Sequence, residues 1–207
     1  MLRDTALAPA TRFIPFVAMS STDREALIAL FRSTGGAGWW RRDNWDTDAV
    51  LATWDGVNVN DQGRVVGLSL IRNNLQGPIP SKLGNLSALT ALYLQRNQLS
   101  GTIPPELGKL TSLHILALNR NQLSGPIPSE LEHLSVLRGL FLSGNQLSGE
   151  IPASLGQLVK LETLRLYVNK LSALGALSKL RDLELWSNKQ TGNTPPELGD
   201  LRQLQEL

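Results

Sequence analysis

A motif of 24 residues is written almost verbatim through the middle of the chain. Its clearest copy carries Leu89, Leu92, Leu94, Asn97, Leu99, Gly101, Ile103, Pro104, Leu107, Gly108 and Leu110, and it recurs with changes from Leu113 and from Leu137. An earlier copy starts at Val65, two imperfect copies start at Leu161 and Leu180, and a seventh is cut off soon after Leu204. A fixed period of this length predicts a stacked solenoid, because one unit cannot bury its apolar side alone and must bury it against the next. Such a chain works through an extended surface rather than a closed pocket.

The chemistry of each position can be read separately. Leu92 and Leu94, like Leu116 and Leu118, alternate with polar residues, which predicts a short strand with one buried face. Strands of successive repeats are then parallel and roughly 4.8 Å apart. Asn73, Asn97, Asn121, Asn145, Asn169 and Asn188 fall in one column, where an amide can both donate to and accept from backbone left bare as the chain leaves the strand. Gly77, Gly101, Gly125 and Gly149 suit a tight turn. Ile79-Pro80 and its copies fix an extended return, and Leu83 and Leu86 with their copies close the interior. Each repeat offers about six large apolar side chains for burial, in line with the 42% apolar composition.

Ahead of the repeats the pattern changes. Thr22-Asp23-Arg24-Glu25 fits a helix capping box, Ala26, Leu27, Leu30 and Phe31 recur at helical spacing, and Gly35-Gly36 predicts the stop. Trp39, Trp40, Trp45 and Trp54 follow, and they read better as a plug over the end of the first repeat than as an aromatic ligand site. Val57–Val59, a turn at Asp61–Gly63 and the run Arg64–Leu68 read as a hairpin into the first repeat. The expected organisation is a flexible leader over 1–20, an N-terminal cap over 21–64, and a solenoid over 65–207 of about six repeats plus a truncated seventh. The fifth repeat is five residues short and lacks the G-x-I-P segment, which predicts a local change of curvature or twist. In the sixth, Gln190 and Thr194 stand where large apolar residues are expected. The stop at Leu207 within a new strand leads to the expectation of a fragment of a longer protein, or of something that covers that end.

The pattern LxxLxLxxNxLxGxIPxxLGxLxx resembles the leucine-rich repeat family, in its plant-type subclass, as in receptor-kinase ectodomains and polygalacturonase-inhibiting proteins. The match runs over about 65–207, and Asp23–Leu27 with Trp54–Val57 resembles the family's N-terminal cap. The paired cysteines usual in plant extracellular caps are absent; the chain contains no cysteine at all. The resemblance implies an α/β horseshoe with a parallel concave sheet, a mostly irregular and 3-10 convex side, and a helical cap.

On that fold, partner-binding residues are expected on the exposed strand positions. One column is Ser69, Tyr93, Ala117, Phe141, Arg165 and Glu184; the next is Ile71, Gln95, Asn119, Ser143, Tyr167 and Trp186. A third begins Arg72, Arg96, Arg120 and continues with Gly144 and Val168. The candidate site is therefore an aromatic group, Tyr93, Phe141, Tyr167 and Trp186, beside Arg165, together with the stripe Arg72, Arg96 and Arg120, since aromatics and arginine dominate binding hot spots. The competing reading is that the arginines only solvate the sheet and that Arg165 pairs with Glu184.

Other chemistry finds little support. Net charge is +2 with acids and bases interspersed, which speaks against a nucleic-acid partner. No apolar run reaches the roughly 18 residues of a membrane span. His114 and His133 occupy different repeat positions without metal-ligand spacing, and no serine nucleophile motif or phosphate-binding glycine loop is present. Neither a catalytic residue nor a metal or cofactor is expected. Asn85-Leu86-Ser87 is a glycosylation sequon, informative only for a secreted chain. The absence of cysteine and of a signal-peptide core leans toward an intracellular setting, while the family resemblance admits an extracellular one. The expectation is a non-enzymatic recognition module that binds a protein or peptide on its concave strand face. Two alternatives are the sensor portion of a larger receptor, GTPase or kinase, and an inhibitor of a carbohydrate-active enzyme. Oligomeric state is not legible.

Overall fold

The computed structural model describes residues 21–173 and 182–184. The leader over 1–20, Trp186, Asn188, the Gln190 and Thr194 irregularities and the seventh repeat lie outside the described residues.

The strands predicted by the alternating leucines form one sheet whose order follows the chain: Val57–Val59, Val65–Ser69, Ala91–Tyr93, Ile115–Ala117, Gly139–Phe141, Thr163–Arg165 and Asp182–Glu184. The first pair is antiparallel, the expected hairpin, with a register shift between Asn58 and Val59. Every later pair is parallel. From Gly67 through Ala91, Ile115 and Gly139 to Thr163, the register advances by one full repeat per strand. Thr163 then pairs with Asp182, so the sheet keeps its alignment although the fifth repeat is five residues short.

The return path also follows the sequence. After the asparagine column the chain enters a second row of short parallel strands, Gln76–Pro78 with Gln98–Ser100, and Ser124–Gly125 with Gln146–Glu150 and Lys170–Ala173. Gly77, Gly101, Gly125 and Gly149 all adopt positive φ there, which a Cβ would strain. Pro80, Pro104, Pro128 and Pro152 are extended and each precedes a short 3-10 helix: Ser81–Asn85, Pro105–Lys109, Ser129–His133 and Ala153–Gln157. Gly84 and Gly108 let consecutive turns approach closely. A Cβ on Gly108 would lie 2.2 Å from the Glu130 carbonyl oxygen, and one on Gly84 would lie 2.3 Å from that of Glu106.

The interior is an unbroken leucine stack. In the second repeat Leu89, Leu92, Leu94, Leu99, Ile103, Leu107 and Leu110 are all buried, one more per repeat than the sequence pattern suggested. The asparagine column runs beside it. Asn121 shows the geometry: Oδ1 accepts the Leu99 N–H at 3.0 Å, and Nδ2 donates to the Leu94 and Leu118 carbonyls, each at 3.0 Å. Asn97, Asn145 and Asn169 repeat the arrangement. Each amide therefore joins two repeats, since one carbonyl partner is its own and the other belongs to the preceding unit.

At the N-terminal end the helix Ser21–Ser33 begins one residue before the expected capping threonine, Thr22, which therefore lies inside it. Asp23 is fully buried and turns to the first repeat strand. It accepts the Val65 N–H at 2.9 Å and a two-pronged contact from Arg64 at 3.0 and 3.1 Å. That pairing, with hydrogen bonding ahead of charge attraction, raises the Arg64 guanidinium above its usual value against the opposing effect of burial. Trp39, Trp45 and Trp54 are buried against one another and Phe31, with ring centroids 4.8–6.0 Å apart. Their indole N–H groups donate to the Thr34, Asp55 and Ala49 carbonyls. Trp40, read with them as part of the plug, is instead 73% exposed. The asparagine ladder ends here as well: Asn73 donates to the Arg41 carbonyl and accepts its N–H, so Arg41 backbone stands in for the missing preceding repeat.

Candidate functional site

The strand face is built from residues that alternate with the buried leucines, and the sheet register fixes which of them are neighbours. Ser69, Tyr93, Ala117, Phe141 and Arg165 align across five strands, and Glu184 stands opposite Arg165. This is the first column expected from the sequence. Its aromatic members are not all brought together: Ala117 separates Tyr93 from Phe141 by one strand on either side.

Phe141 and Arg165 do meet. The Arg165 guanidinium lies 5.6 Å from the centroid of the Phe141 ring. A cation over a ring face at a partly exposed site contributes on the order of 0.5–1 kcal/mol. The ring's position depends on Gly139, two residues earlier on the same face. A Cβ at Gly139 would come within 2.7 Å of Phe141 Cε2, so the ring folds over the glycine. Gly139 shares its column with Gly67, Ala91, Ile115 and Thr163, so the repeat pattern alone does not single it out. Tyr167 follows Arg165 by two residues and is half-buried, as are Phe141 and Arg165. Its carbonyl accepts the Gly144 N–H at 2.9 Å, which holds its backbone beside the fourth repeat. Phe141 and Arg165 thus meet across two repeats, Tyr167 follows on the same repeat as Arg165, and Tyr93 stands apart.

The arginine column proves to be a corner rather than part of the strands. Arg72, Arg96 and Arg120 come three residues after the strand ends, at φ 50°, 61° and 60°. Gly144 and Val168 occupy the same corner at φ 65° and 55°. For an L-residue this left-handed conformation costs roughly 1–2 kcal/mol relative to glycine, and most for a β-branched one. The corner turns the chain so that the following asparagine points inward to its ladder. Beside it, Gln95 places Oε1 in a buried position without a hydrogen-bond partner, a feature that the repeat pattern does not single out.

Away from the strand face, two cavities of about 520 and 530 Å³ open along the 3-10 side. The first is lined by Glu106, Lys109, Glu130 and His133 among others, the second by Ile103, Pro126, Pro128 and Glu150 among others. Among the described residues no three histidine or acidic side chains converge as a metal site, and no helix is long and apolar enough to cross a membrane.

Residues 88–110, 112–134 and 136–158 each match the family description Leucine Rich Repeat. Among solved structures, the Arabidopsis receptor kinase HAESA, in complex with the peptide hormone IDA and the co-receptor SERK1, is 32% identical with a TM-score of 0.80, over 90% of this chain and 33% of that one. The BIR2 ectodomain from Arabidopsis thaliana is 30% identical with a TM-score of 0.70, over 84% of this chain and 95% of that one. A plant ice-binding protein is 30% identical with a TM-score of 0.74, over 86% of this chain and 59% of that one. The chain spans less than two thirds of the HAESA and ice-binding structures. A peptide-hormone complex and an ice binder share this architecture at the same level of identity, so a function has to be argued from surface residues and not from the fold.

Proposed function

The chain belongs to the leucine-rich repeat family, and from that premise we propose that it is a non-enzymatic recognition module whose strand face binds a protein or peptide. The observation that carries this reading is the contact between Phe141 and Arg165, with Tyr167 two residues further along the chain. An arginine laid over a phenylalanine, with a tyrosine two residues on in sequence, offers the residue types that supply most binding energy when desolvated by a partner. The sheet beneath is hydrogen-bonded strand to strand, and presenting these residues on paired backbone lowers the ordering cost of binding. Tyr93 extends the proposed surface toward the cap. Residues 21–64 serve as the cap that keeps the first leucines from water, and no catalytic role is assigned to any residue.

The test is a peptide-display selection on the immobilised chain, followed by affinity measurement for the selected sequences. Phe141→Ala with Tyr167→Ala is expected to weaken them by roughly tenfold or more. Unchanged affinity in that double variant would remove the strand face from the reading. A second reading, the sensing portion of a larger receptor, is favoured by the fraction of HAESA that the chain matches. The length of the full transcript distinguishes it: a short open reading frame would exclude it.

A further inference from the structure

Trp40 is the part of the cap that the buried aromatic plug leaves unused. It is 73% exposed, and no other aromatic ring among the described residues is exposed. Its indole N–H has no acceptor among those residues, whereas the N–H groups of Trp39, Trp45 and Trp54 all donate to backbone carbonyls. Arg42 follows two residues later. Its guanidinium donates to the Ala37 carbonyl at 2.8 Å and joins no ion pair among the described residues. A second unused feature lies where the outer row of short strands gives way to the 3-10 turns. There Pro105, Pro126, Pro128 and Pro152 line the cavity of about 530 Å³, with the Glu130 and Glu150 carboxylates beside them. Neither carboxylate joins an ion pair among the described residues. Proline rings next to two carboxylates fit an apolar ring that carries an N–H donor and has a cation close by. Trp40 with Arg42 is that combination on the chain's own surface. The two features also share one side of the solenoid. Asn73 bonds both the N–H and the carbonyl of Arg41, and Asn74 Nδ2 donates to the Gly38 carbonyl at 2.9 Å. Residues 38–41 therefore flank the start of the outer strand row, and the groove opens at its far edge, one to three repeats further along the stack.

We infer that two copies of this chain associate side by side around a two-fold axis, with Trp40 of each seated in the proline groove of the other. Arg42 pairs with the Glu130 and Glu150 carboxylates of the second copy, and the indole N–H donates to one of them. The two-fold makes the same contact twice and closes it, so assembly stops at two copies. Each contact consists of one ring and one cation, which makes the dimer weak and dependent on concentration. The strand faces lie outside the contact, so the dimer presents two of them. The inference stands apart from the recognition reading and does not depend on it.

The experiment is sedimentation velocity on the full chain. Between about 1 µM and about 500 µM the mass should rise from one copy to two and no further. Trp40→Ala should weaken dimerisation roughly hundredfold, tenfold for each of the two contacts. Two charge variants test the pairing: Arg42→Glu, and Glu130→Arg together with Glu150→Arg. Each alone sets like charges against one another at both contacts and should stay monomeric where the wild type dimerises. An equal mixture of the two places opposite charges at both contacts and should restore a mixed dimer. Trp40, Arg42, Glu130 and Glu150 are all exposed, so circular dichroism should show every variant folded. A wild type that stays monomeric over the whole range overturns the proposal. So does a dimer that Trp40→Ala leaves intact, a charge-swapped mixture that remains monomeric, or a mass that keeps growing beyond two copies.

Discussion

Replacing Asn121 is expected to open the solenoid at its middle. Its side chain makes three hydrogen bonds, all near 3.0 Å, and the residue is 9% exposed. In Asn121→Ala the carbonyls do not lose everything: Leu94 O still accepts from Asn97 at 2.9 Å, and Leu118 O from Asn145 at 3.1 Å. The Leu99 N–H has no such substitute and is left bare in the interior. An orphaned buried donor costs about 1–3 kcal/mol, and each of the two shared bonds contributes about 0.5–1 kcal/mol, for a total of about 2–5 kcal/mol. That is a large part of the stability of an ordinary domain. Asn121→Asp is isosteric and separates the two roles. It keeps an acceptor for Leu99 N–H but sets a carboxylate against two carbonyl oxygens, so at neutral pH it should destabilise more than alanine. Burial and those carbonyls raise the folded-state pKa of the introduced carboxyl above its unfolded value. Its penalty is therefore smallest in acid and grows as pH rises beyond the unfolded carboxylate range. The assay is urea unfolding followed by far-UV circular dichroism, with hydrogen exchange of the Leu94–Leu123 segment. Tryptophan fluorescence would mislead, since four of the five tryptophans lie between Trp39 and Trp54. If alanine and aspartate variants both stay within about 0.5 kcal/mol of the wild type at all pH values, the ladder is energetically idle and the reasoning fails.

Further perturbations test other parts of the stack. Val168→Asn should stabilise by about 1 kcal/mol and raise Tm by roughly 2–4 °C in calorimetry, because Val168 sits at φ 55° and is 43% exposed, so little burial is lost; a lower Tm would count against strain at the corner. Gly108→Ala should cost about 1–3 kcal/mol by urea titration, because its Cβ would lie 2.2 Å from the Glu130 carbonyl oxygen, and a neutral outcome would mean that the 3-10 turns are free to separate. Asp23→Ala should cost about 2–4 kcal/mol, a figure lowered because Arg64 remains about one third exposed, and tryptophan fluorescence is the right probe here. Retained cap fluorescence at the wild-type midpoint would show that the helix does not depend on this link.

Most of the architecture could be read from the chain before any coordinates, because each repeat meets a near copy of itself. The strand leucines, the asparagine ladder, the Ile-Pro returns and the hairpin into Val65 need only local pattern and translation by one repeat. Even the shortened fifth repeat obeys this logic, since Thr163 finds Asp182 and the strands stay aligned. Where that translation ends, pattern ceased to suffice. Asp23 and Arg64 are 41 residues apart, and what had the form of a capping box serves a contact between the helix and the first strand.

By itself, then, the sequence determined the stacking, the buried columns and which residues share an exposed column, since all of these follow from periodicity. Only the tertiary structure decided how those exposed residues use their positions. The arginine column turned out to lie on a left-handed corner because that conformation is what aims the next asparagine inward, and no side-chain pattern announces a positive φ in arginine. Phe141 folds over Gly139 and under Arg165, while Tyr93, equally aromatic and in the same column, stands beside Ala117. Trp40 faces water while Trp39, Trp45 and Trp54 are buried. These outcomes depend on side-chain volume and backbone dihedrals in adjacent strands, which periodicity aligns but does not specify.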